Sequence, residues 1–184
     1  MLATTSETTS GNHTPRSSHL GHLALLSAVA TTGLSAGFMF LWNEVNIPGL
    51  KVVDDVTYIQ TMNGVNSVIR NAPFGIAFFG AMVTMVVTML FARRLRLGTR
   101  GFVGLALCLY LFALVVTFTV HVPMNRDLLE LTDLTGLDTA EIRATYEGRW
   151  NSWHLPRAWA ILISFLSLVA ATASELRLFA DQKA

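Results

Sequence analysis

Histidine and arginine side chains stand at the ends of two long apolar runs in this sequence. His121 closes one run, and His154 opens the next, with Arg157 three residues after it. An imidazole titrates near neutral pH and can act as a general base, while a guanidinium can stabilise an enolate or phenolate as charge develops. Asparagine amides can orient a carbonyl or a bound oxygen. The candidate catalytic residues are therefore His154, Arg157, His121 and Asn125.

Further polar and aromatic residues lie just before the second apolar run and at the start of the fourth. Polar side chains at helix ends often satisfy backbone groups or anchor a span, and tryptophans favour the membrane interface. A whole set of ionisable and amide groups at one membrane level nevertheless carries a desolvation cost, which favours a binding site. The candidate substrate-binding residues are Asn63, Asn66, Arg70, Asn71, Trp150 and Trp153.

Glu44 offers a second chemistry together with His121 and His154. Two histidines and one carboxylate form a known iron-binding triad. Glu44 shares a helical stripe with Gly33 and Gly37, and we expect this face to meet other helices. No short ligand motif supports a metal, so two alternatives stay open for the cofactor: none, or a single iron or copper ion bound by these three residues. The sequence also contains no P-loop, dinucleotide-binding glycine pattern or nucleophile elbow.

The composition places these residues in a membrane protein. Hydrophobic residues make up 52% of the chain and charged residues 14%, and the mean hydropathy is +0.49. Because backbone polar groups in lipid must be hydrogen-bonded internally, we predict an all-α fold, an integral membrane four-helix bundle that runs up-down-up-down. The net charge of +1 argues against a nucleic-acid partner. The runs that can cross the hydrocarbon as helices are residues 20–42, 73–92, 101–122 and 156–179.

The link between the second and third runs sets the predicted orientation. It holds four arginines, Arg93, Arg94, Arg96 and Arg100, and no acidic residue. Positive charge in short loops stays in the cytoplasm, so we predict a multi-pass protein of the plasma membrane with both termini cytoplasmic. Residues 1–19, rich in Ser and Thr, are expected to form a flexible cytoplasmic tail before a transmembrane domain of residues 20–180. The expected partners are the lipid bilayer and a hydrophobic small molecule, and small residues on the helix faces are compatible with homo-oligomers.

Both extracytoplasmic connections are predicted to contain short amphipathic helices. Asp138 and Glu141 resemble a capping box at the start of the later helix, and apolar residues follow them at helical spacing. Pro73 and Pro156 stand where each connection meets its span. Each proline either kinks a continuous helix or begins the membrane segment as a first-turn proline.

The polar stretches resemble the anthrone oxygenase-like family of small four-helix membrane proteins. The stretches that carry the resemblance are residues 62–66, 70–74, 121–125 and 150–157, and order and spacing agree over roughly residues 20–175. The resemblance implies oxidation of anthrones to anthraquinones with dioxygen in aromatic polyketide pathways. His121 departs from the family, whose members more often carry asparagine there, and Pro156 is a second departure. The family's recurring polar positions fall on Asn66, Asn71, Asn125, Trp153, His154 and Arg157.

The sequence leaves two functions open. In the first, a histidine, His154 or His121, removes a proton from a hydrophobic aromatic substrate, Arg157 and asparagines stabilise the anion, and dioxygen reacts with it. In the second, the protein is not an enzyme but a lipid or quinone binder, a transporter subunit or an assembly partner. Tolerance of histidine substitution would favour the second function.

Overall fold

The computed structural model describes residues 16–91 and 97–181, with side chains described for residues 20–91 and 97–176. Every regular element in these ranges is helical, which confirms the predicted all-α class. Two of the helices contain a π-helical turn, at Trp42–Asn46 and at Thr117–His121. The α-helices are α1 (Arg16–Leu41), α2 (Ile47–Lys51), α3 (Asp55–Val68), α4 (Ala72–Phe91), α5 (Leu97–Val116), α6 (Val122–Leu129) and α7 (Thr139–Asp181).

Four helical stretches are long and apolar enough to cross a membrane, as an integral membrane protein requires. Three of them run beyond the ends predicted from the sequence, because the helices continue through the polar residues that close each apolar run. The stretches are Leu20–Lys51, Ala72–Phe91, Leu97–Leu129 and Thr139–Leu176.

The four spanning helices pack in a closed ring, in which α1 contacts α4 and α7, and α5 contacts the same two helices. Small residues such as Ala28, Ala81 and Ala106 are fully buried where the helices meet, so their backbones approach closely. Larger side chains such as Met85 and Leu168 fill the remaining space. Van der Waals contact of this kind, rather than escape from water, holds helices together in lipid.

A second apolar cluster lies at one end of the bundle, where α2, α3 and α6 cover the ends of the spanning helices; we call this the capped end. Ile59 of α3 and Leu128 of α6 are buried against Tyr146 of α7. Arg143 of α7 links α7 to the turn before α3, because its guanidinium donates a hydrogen bond to the Val53 carbonyl at 2.7 Å. The same guanidinium forms salt bridges with Asp55 and Glu147.

Hydrogen bonds at the helix starts explain where the capping helices begin. Asp54 accepts from the Thr57 backbone N–H at 3.0 Å, and Asp138 accepts from the Glu141 N–H at 3.0 Å. The two prolines occupy different positions in their helices. Pro73 is the second residue of α4, so it stands in the first turn, whereas Pro156 lies inside the continuous helix α7.

The prediction of which face of α1 packs against other helices is wrong. The stripe through Gly33, Gly37 and Glu44 was expected to face other helices, but Gly37 and Glu44 are exposed. Of the three, only Gly33 is partly buried, where an added Cβ would lie 3.1 Å from the Phe165 ring. The buried stripe instead passes through Thr32, Ser35 and Met39. A span that is apolar on all sides carries no amphipathic signal, so only the packing of neighbouring helices selects the face.

Two predictions concern residues outside the described ranges. The tail lies mainly in residues 1–15, and three of the four link arginines, Arg93, Arg94 and Arg96, lie in residues 92–96. The cytoplasmic placement of the termini and the plasma membrane location stay predictions.

Candidate functional site

A cavity of about 440 Å³ opens between the spanning helices at the capped end. Its volume falls in the range of small-molecule pockets, roughly 300–1,000 Å³. Its walls are mainly aromatic and aliphatic, and polar side chains reach it from α3, from the π-helical turn at Thr117–His121, from α6 and from α7. The aromatic wall consists of Phe38, Trp42, Phe74, Phe78, Phe79, Phe118 and Trp150.

The cavity reaches the membrane-facing surface of the bundle beside Phe79 and Phe118. Their rings stack at a centroid distance of 6.0 Å with 22° between the planes. Phe79 is 47% exposed and Phe118 is 52% exposed, although both rings line the cavity. These two rings therefore lie where the cavity meets the outer surface of the bundle.

A π-helical turn brings His121 into the cavity. The turn spans Thr117–His121, and the Val122 N–H donates to the Thr117 carbonyl, one residue farther back than in an α-helix. Pro123 follows at once and lacks the N–H that would continue the α-helical ladder. Single π-helical turns occur frequently at functional sites. The His121 ring is 2% exposed, and its Nδ1 lies 3.4 Å from the Val116 carbonyl oxygen.

The fourth spanning helix supplies His154 and Arg157, one helical turn apart on the buried face of α7. Arg157 Nη2 lies 2.9 Å from His154 Nδ1, and Arg157 Nη1 donates to the Thr117 hydroxyl at 3.3 Å. The imidazole of His154 stacks on the Trp150 ring, with centroids 4.7 Å apart and 13° between the planes. The centroids of the two imidazoles, His121 and His154, are 6.4 Å apart.

Asn125 orients the aromatic side of this group. Its Oδ1 accepts from the Tyr146 hydroxyl at 2.7 Å and from the Trp150 indole N–H at 3.1 Å. Trp150 is thereby fixed between Asn125 and the two imidazoles, since the His121 ring meets its face edge-on at 5.0 Å. The hydrogen bonds of Asn125 thus position aromatic side chains of the site, whereas the sequence predicted a catalytic role for this residue.

The electrostatics of the site are dominated by Arg157. The residue is only 6% exposed, and no carboxylate lies within 4.0 Å of it in the described part of the chain. Buried charges are normally paired, because desolvation of an isolated ion is costly. Several buried donors or ring nitrogens nearby also have no hydrogen-bond partner among the described residues: Arg157 Nε, His121 Nε2, His154 Nε2, Asn66 Nδ2 and Trp42 Nε1. Among the described residues, the site thus combines a buried cation with several polar nitrogens that have no protein partner.

Most of the predicted site residues come together around this cavity, although they derive from separate stretches of sequence. Arg70 lies at the exposed rim. Asn71 also lines the cavity, but its amide is engaged locally: Oδ1 accepts from the Phe74 N–H at 2.9 Å and Nδ2 donates to the Val68 carbonyl at 3.0 Å. The predicted residues that line the cavity are Asn66, Arg70, Asn71, His121, Asn125, Trp150, His154 and Arg157.

Two predicted binding residues lie elsewhere. Trp153 is 42% exposed and does not line the cavity, because the inward face of α7 runs through Trp150, His154 and Arg157. Asn63 donates to the Leu128 carbonyl at 3.1 Å and so joins α3 to α6 outside the cavity. Both residues have a suitable type and lie near site residues in sequence, but the rotation of each helix turns them away from the cavity.

The three-residue metal site with Glu44 is not assembled. Glu44 is exposed, and its carboxylate accepts from the neighbouring Asn43 amide at 2.7 Å, away from both histidines. Among the side chains of residues 20–91 and 97–176, no group of three His, Cys, Asp or Glu is placed to hold a metal ion. The π-helical turn at Trp42–Asn46 directs Trp42 inward at this level, and Glu44 falls on the opposite side. Whether the protein uses no cofactor or one metal ion stays a prediction.

Several residues that line the cavity were not among those predicted from the sequence. Thr117 lies four residues before His121, which is the spacing of one helix face, and this spacing could have identified it. Trp42 gave no such signal, since tryptophan at the end of a span is expected at an interface. The aromatic wall of α4, Phe74 and Phe78, was indistinguishable from ordinary span residues.

Comparison with known proteins identifies the family. The family model described as anthrone oxygenase matches residues 71–167, which is more than half of the chain and includes His121, Asn125, His154 and Arg157. No curated protein and no solved structure matches the chain. On the strength of the family match, this chain belongs to the anthrone oxygenase family.

Proposed function

We propose that this protein is a membrane-bound oxygenase that oxidises a hydrophobic aromatic carbon acid of the anthrone class with dioxygen. Membership of the anthrone oxygenase family supports the reaction class. The single observation that carries the proposal is the placement of Arg157, a buried cation without a carboxylate partner, beside two imidazoles in an aromatic cavity. A base next to a stabilised anion is the arrangement that carbon deprotonation requires.

The cavity walls suit a flat aromatic substrate. Phe74 and Phe78 stack with 14° between their planes and leave the cavity mainly apolar on that side. Such a substrate partitions into lipid, and the opening beside Phe79 and Phe118 would admit it from the membrane. The exclusion of water strengthens each charge interaction inside the cavity.

In the proposed reaction an imidazole removes a proton from the methylene carbon opposite the substrate carbonyl. The electron pair of the broken C–H bond delocalises onto the carbonyl oxygen, where Arg157 stabilises the negative charge. The carbanion then bonds to dioxygen at the former methylene carbon, and the resulting peroxide takes up a proton. Loss of water, with the second hydrogen of that carbon, leaves the quinone. Anthrone and dioxygen thus give anthraquinone and water, with dioxygen as the oxidant.

The test is an assay of purified protein in lipid nanodiscs with anthrone, following oxygen consumption and quinone formation together. Arg157→Met should reduce the rate by about 100-fold or more, the scale on which loss of an anion-stabilising group acts. Arg149→Met is the matched control, because it makes the same chemical change on the same helix at an exposed position. Full activity in Arg157→Met would refute the mechanism. Binding of anthrone without turnover by the wild type would favour the non-enzymatic alternative.

A further inference from the structure

The contact between Arg157 and His154 fixes the protonation pattern of that imidazole. Arg157 Nη2 lies 2.9 Å from His154 Nδ1, and a guanidinium has donors but no acceptor. Nδ1 must therefore accept the hydrogen bond with its lone pair. A proton on Nδ1 would point at the guanidinium N–H, so the contact admits only the neutral ring. The single ring proton of His154 consequently resides on Nε2.

The Nε2–H of His154 is left without a protein partner at the wall of the cavity. The residue is 1% exposed, it lines the cavity, and its Nε2 has no hydrogen-bond partner among the described residues. A buried N–H without a partner is rare in folded proteins, since it has lost its hydrogen bond to water and gained none in return. A ligand acceptor, such as the oxygen of a carbonyl or of its anion, would satisfy it.

His121 has the opposite pattern. Its Nδ1 lies 3.4 Å from the Val116 carbonyl oxygen, and a carbonyl oxygen can only accept a hydrogen bond. The ring proton of His121 therefore resides on Nδ1, and Nε2 keeps its lone pair. Among the described residues, none forms a hydrogen bond with this Nε2. The lone pair of His121 is thus uncommitted, whereas that of His154 is taken by Arg157.

We propose that the two imidazoles divide the chemistry of the site: His121 is the base, and His154 donates its Nε2–H to the substrate oxygen. Arg157 then has two functions. It positions His154 in the donor tautomer through Nη2, and it lends its charge to the anion through the otherwise unpartnered Nε. The assignment of the base rests on the proposed function, but the tautomer of His154 does not.

The first experiment measures the tautomer in the resting protein. The chain has five histidines, and selective ¹⁵N-histidine labelling with His121→Gln and His154→Gln assigns the two signals of interest. Protonated and bare ring nitrogens have well-separated ¹⁵N shifts. We expect His154 to show a protonated Nε2 and a bare Nδ1, and Arg157→Met to convert this signal to a mixture of tautomers. A proton on Nδ1 of His154, or no response to Arg157→Met, would overturn the proposal.

The second experiment uses turnover of anthrone. A glutamine amide can donate a hydrogen bond near the position of imidazole Nε2, but it cannot accept a proton as a base. His154→Gln should therefore retain activity within about tenfold of the wild type, whereas His121→Gln should lose about 100-fold or more, the contribution of a general base. The reverse order would make His154 the base. If the wild type itself does not oxidise anthrone, the proposed function and the base assignment of His121 fail together, while the ¹⁵N measurement still supports or overturns the donor tautomer of His154.

Discussion

Buried polar groups are mostly hydrogen-bonded in the closed core of the bundle, whereas several have no partner around the cavity at the capped end. In the core, the Tyr110 hydroxyl lies 2.8 Å from the Phe78 carbonyl, to which it donates, and 3.0 Å from the Ser35 hydroxyl. Ser164 donates to the Ala106 carbonyl at 2.9 Å. Around the cavity, by contrast, a guanidinium nitrogen of Arg157 and a ring nitrogen of each imidazole find no partner among the described residues.

This difference separates structural polarity from functional polarity. A polar group inside a membrane bundle is costly unless it is hydrogen-bonded, so the core satisfies its groups with neighbouring helices. Thr32 is the exception in the core, with an unpartnered hydroxyl. The unpartnered groups of the cavity instead share one apolar space of about 440 Å³ that a ligand can enter. We therefore expect substitutions in the two regions to affect different properties.

The largest expected effect is the loss of turnover without loss of stability on substitution of Arg157. Arg157→Met removes an unpaired buried charge, and apolar replacement of buried ions is often neutral or stabilising. Anthrone turnover should fall by about 100-fold or more while the thermal midpoint stays constant or rises. Thermal unfolding in detergent measures the midpoint, and the anthrone assay on the same samples measures the turnover. A large fall in the midpoint would mean that Arg157 is a structural residue and would remove the contrast between the regions.

Tyr110→Phe should give the opposite result. The substitution removes one hydroxyl from the closed core and leaves the Phe78 carbonyl and the Ser35 hydroxyl without that contact. We expect a loss of about 1 kcal/mol in the free energy of unfolding, with the turnover per folded molecule unchanged. Denaturant titration measures the free energy of unfolding, and the anthrone assay measures the turnover per folded molecule. Reduced turnover at full folding would show that the floor of the cavity extends to Tyr110.

Filling the cavity should weaken substrate binding more than it changes the chemical step. Gly75 lines the cavity, and a Cβ added there meets no atom within 4 Å. Gly75→Leu should therefore raise KM for anthrone by about tenfold with a smaller change in kcat, as expected when a pocket loses room for its ligand. Gly37→Leu is the matched control, since Gly37 also has open space around it but faces away from the cavity. Equal KM values in both variants would place the substrate elsewhere.

The smallest expected effect is a pH dependence of the capping helix α3. Hydrogen bonds from Thr57 to Asp54 lower the pKa of this carboxyl below its ordinary value of 3.8. Because the folded pKa is the lower one, the contribution of Asp54 to stability is present above pH 3.8 and is lost as the pH falls through the folded pKa. Asp54→Asn keeps an N-cap but should abolish this dependence. Amide hydrogen exchange across α3, measured for both proteins between pH 5 and 3, would detect it, and identical profiles would contradict the expectation.

The sequence by itself determined the class of the protein and most of its site. Apolar runs of membrane-spanning length required helices, because lipid offers no partner for backbone groups. The concentration of histidine, arginine, asparagine and tryptophan near the run ends identified eight residues that line the cavity, among them His121, His154 and Arg157. These signals are local, since they depend on residue type and on distance along the chain.

Only the tertiary structure decided which side of each helix faces the cavity. The spans are apolar all round, so the rotation that buries Thr32 and exposes Glu44 could not be predicted from periodicity. The roles of the two imidazoles also required the fold, because they depend on atoms far apart in sequence. His154 is separated from His121 in sequence by α6 and the first turns of α7, and the lone pair of each ring is committed or free according to the neighbour that packing places beside it. Sequence spacing supplies the side chains, and only packing fixes the direction in which each nitrogen points.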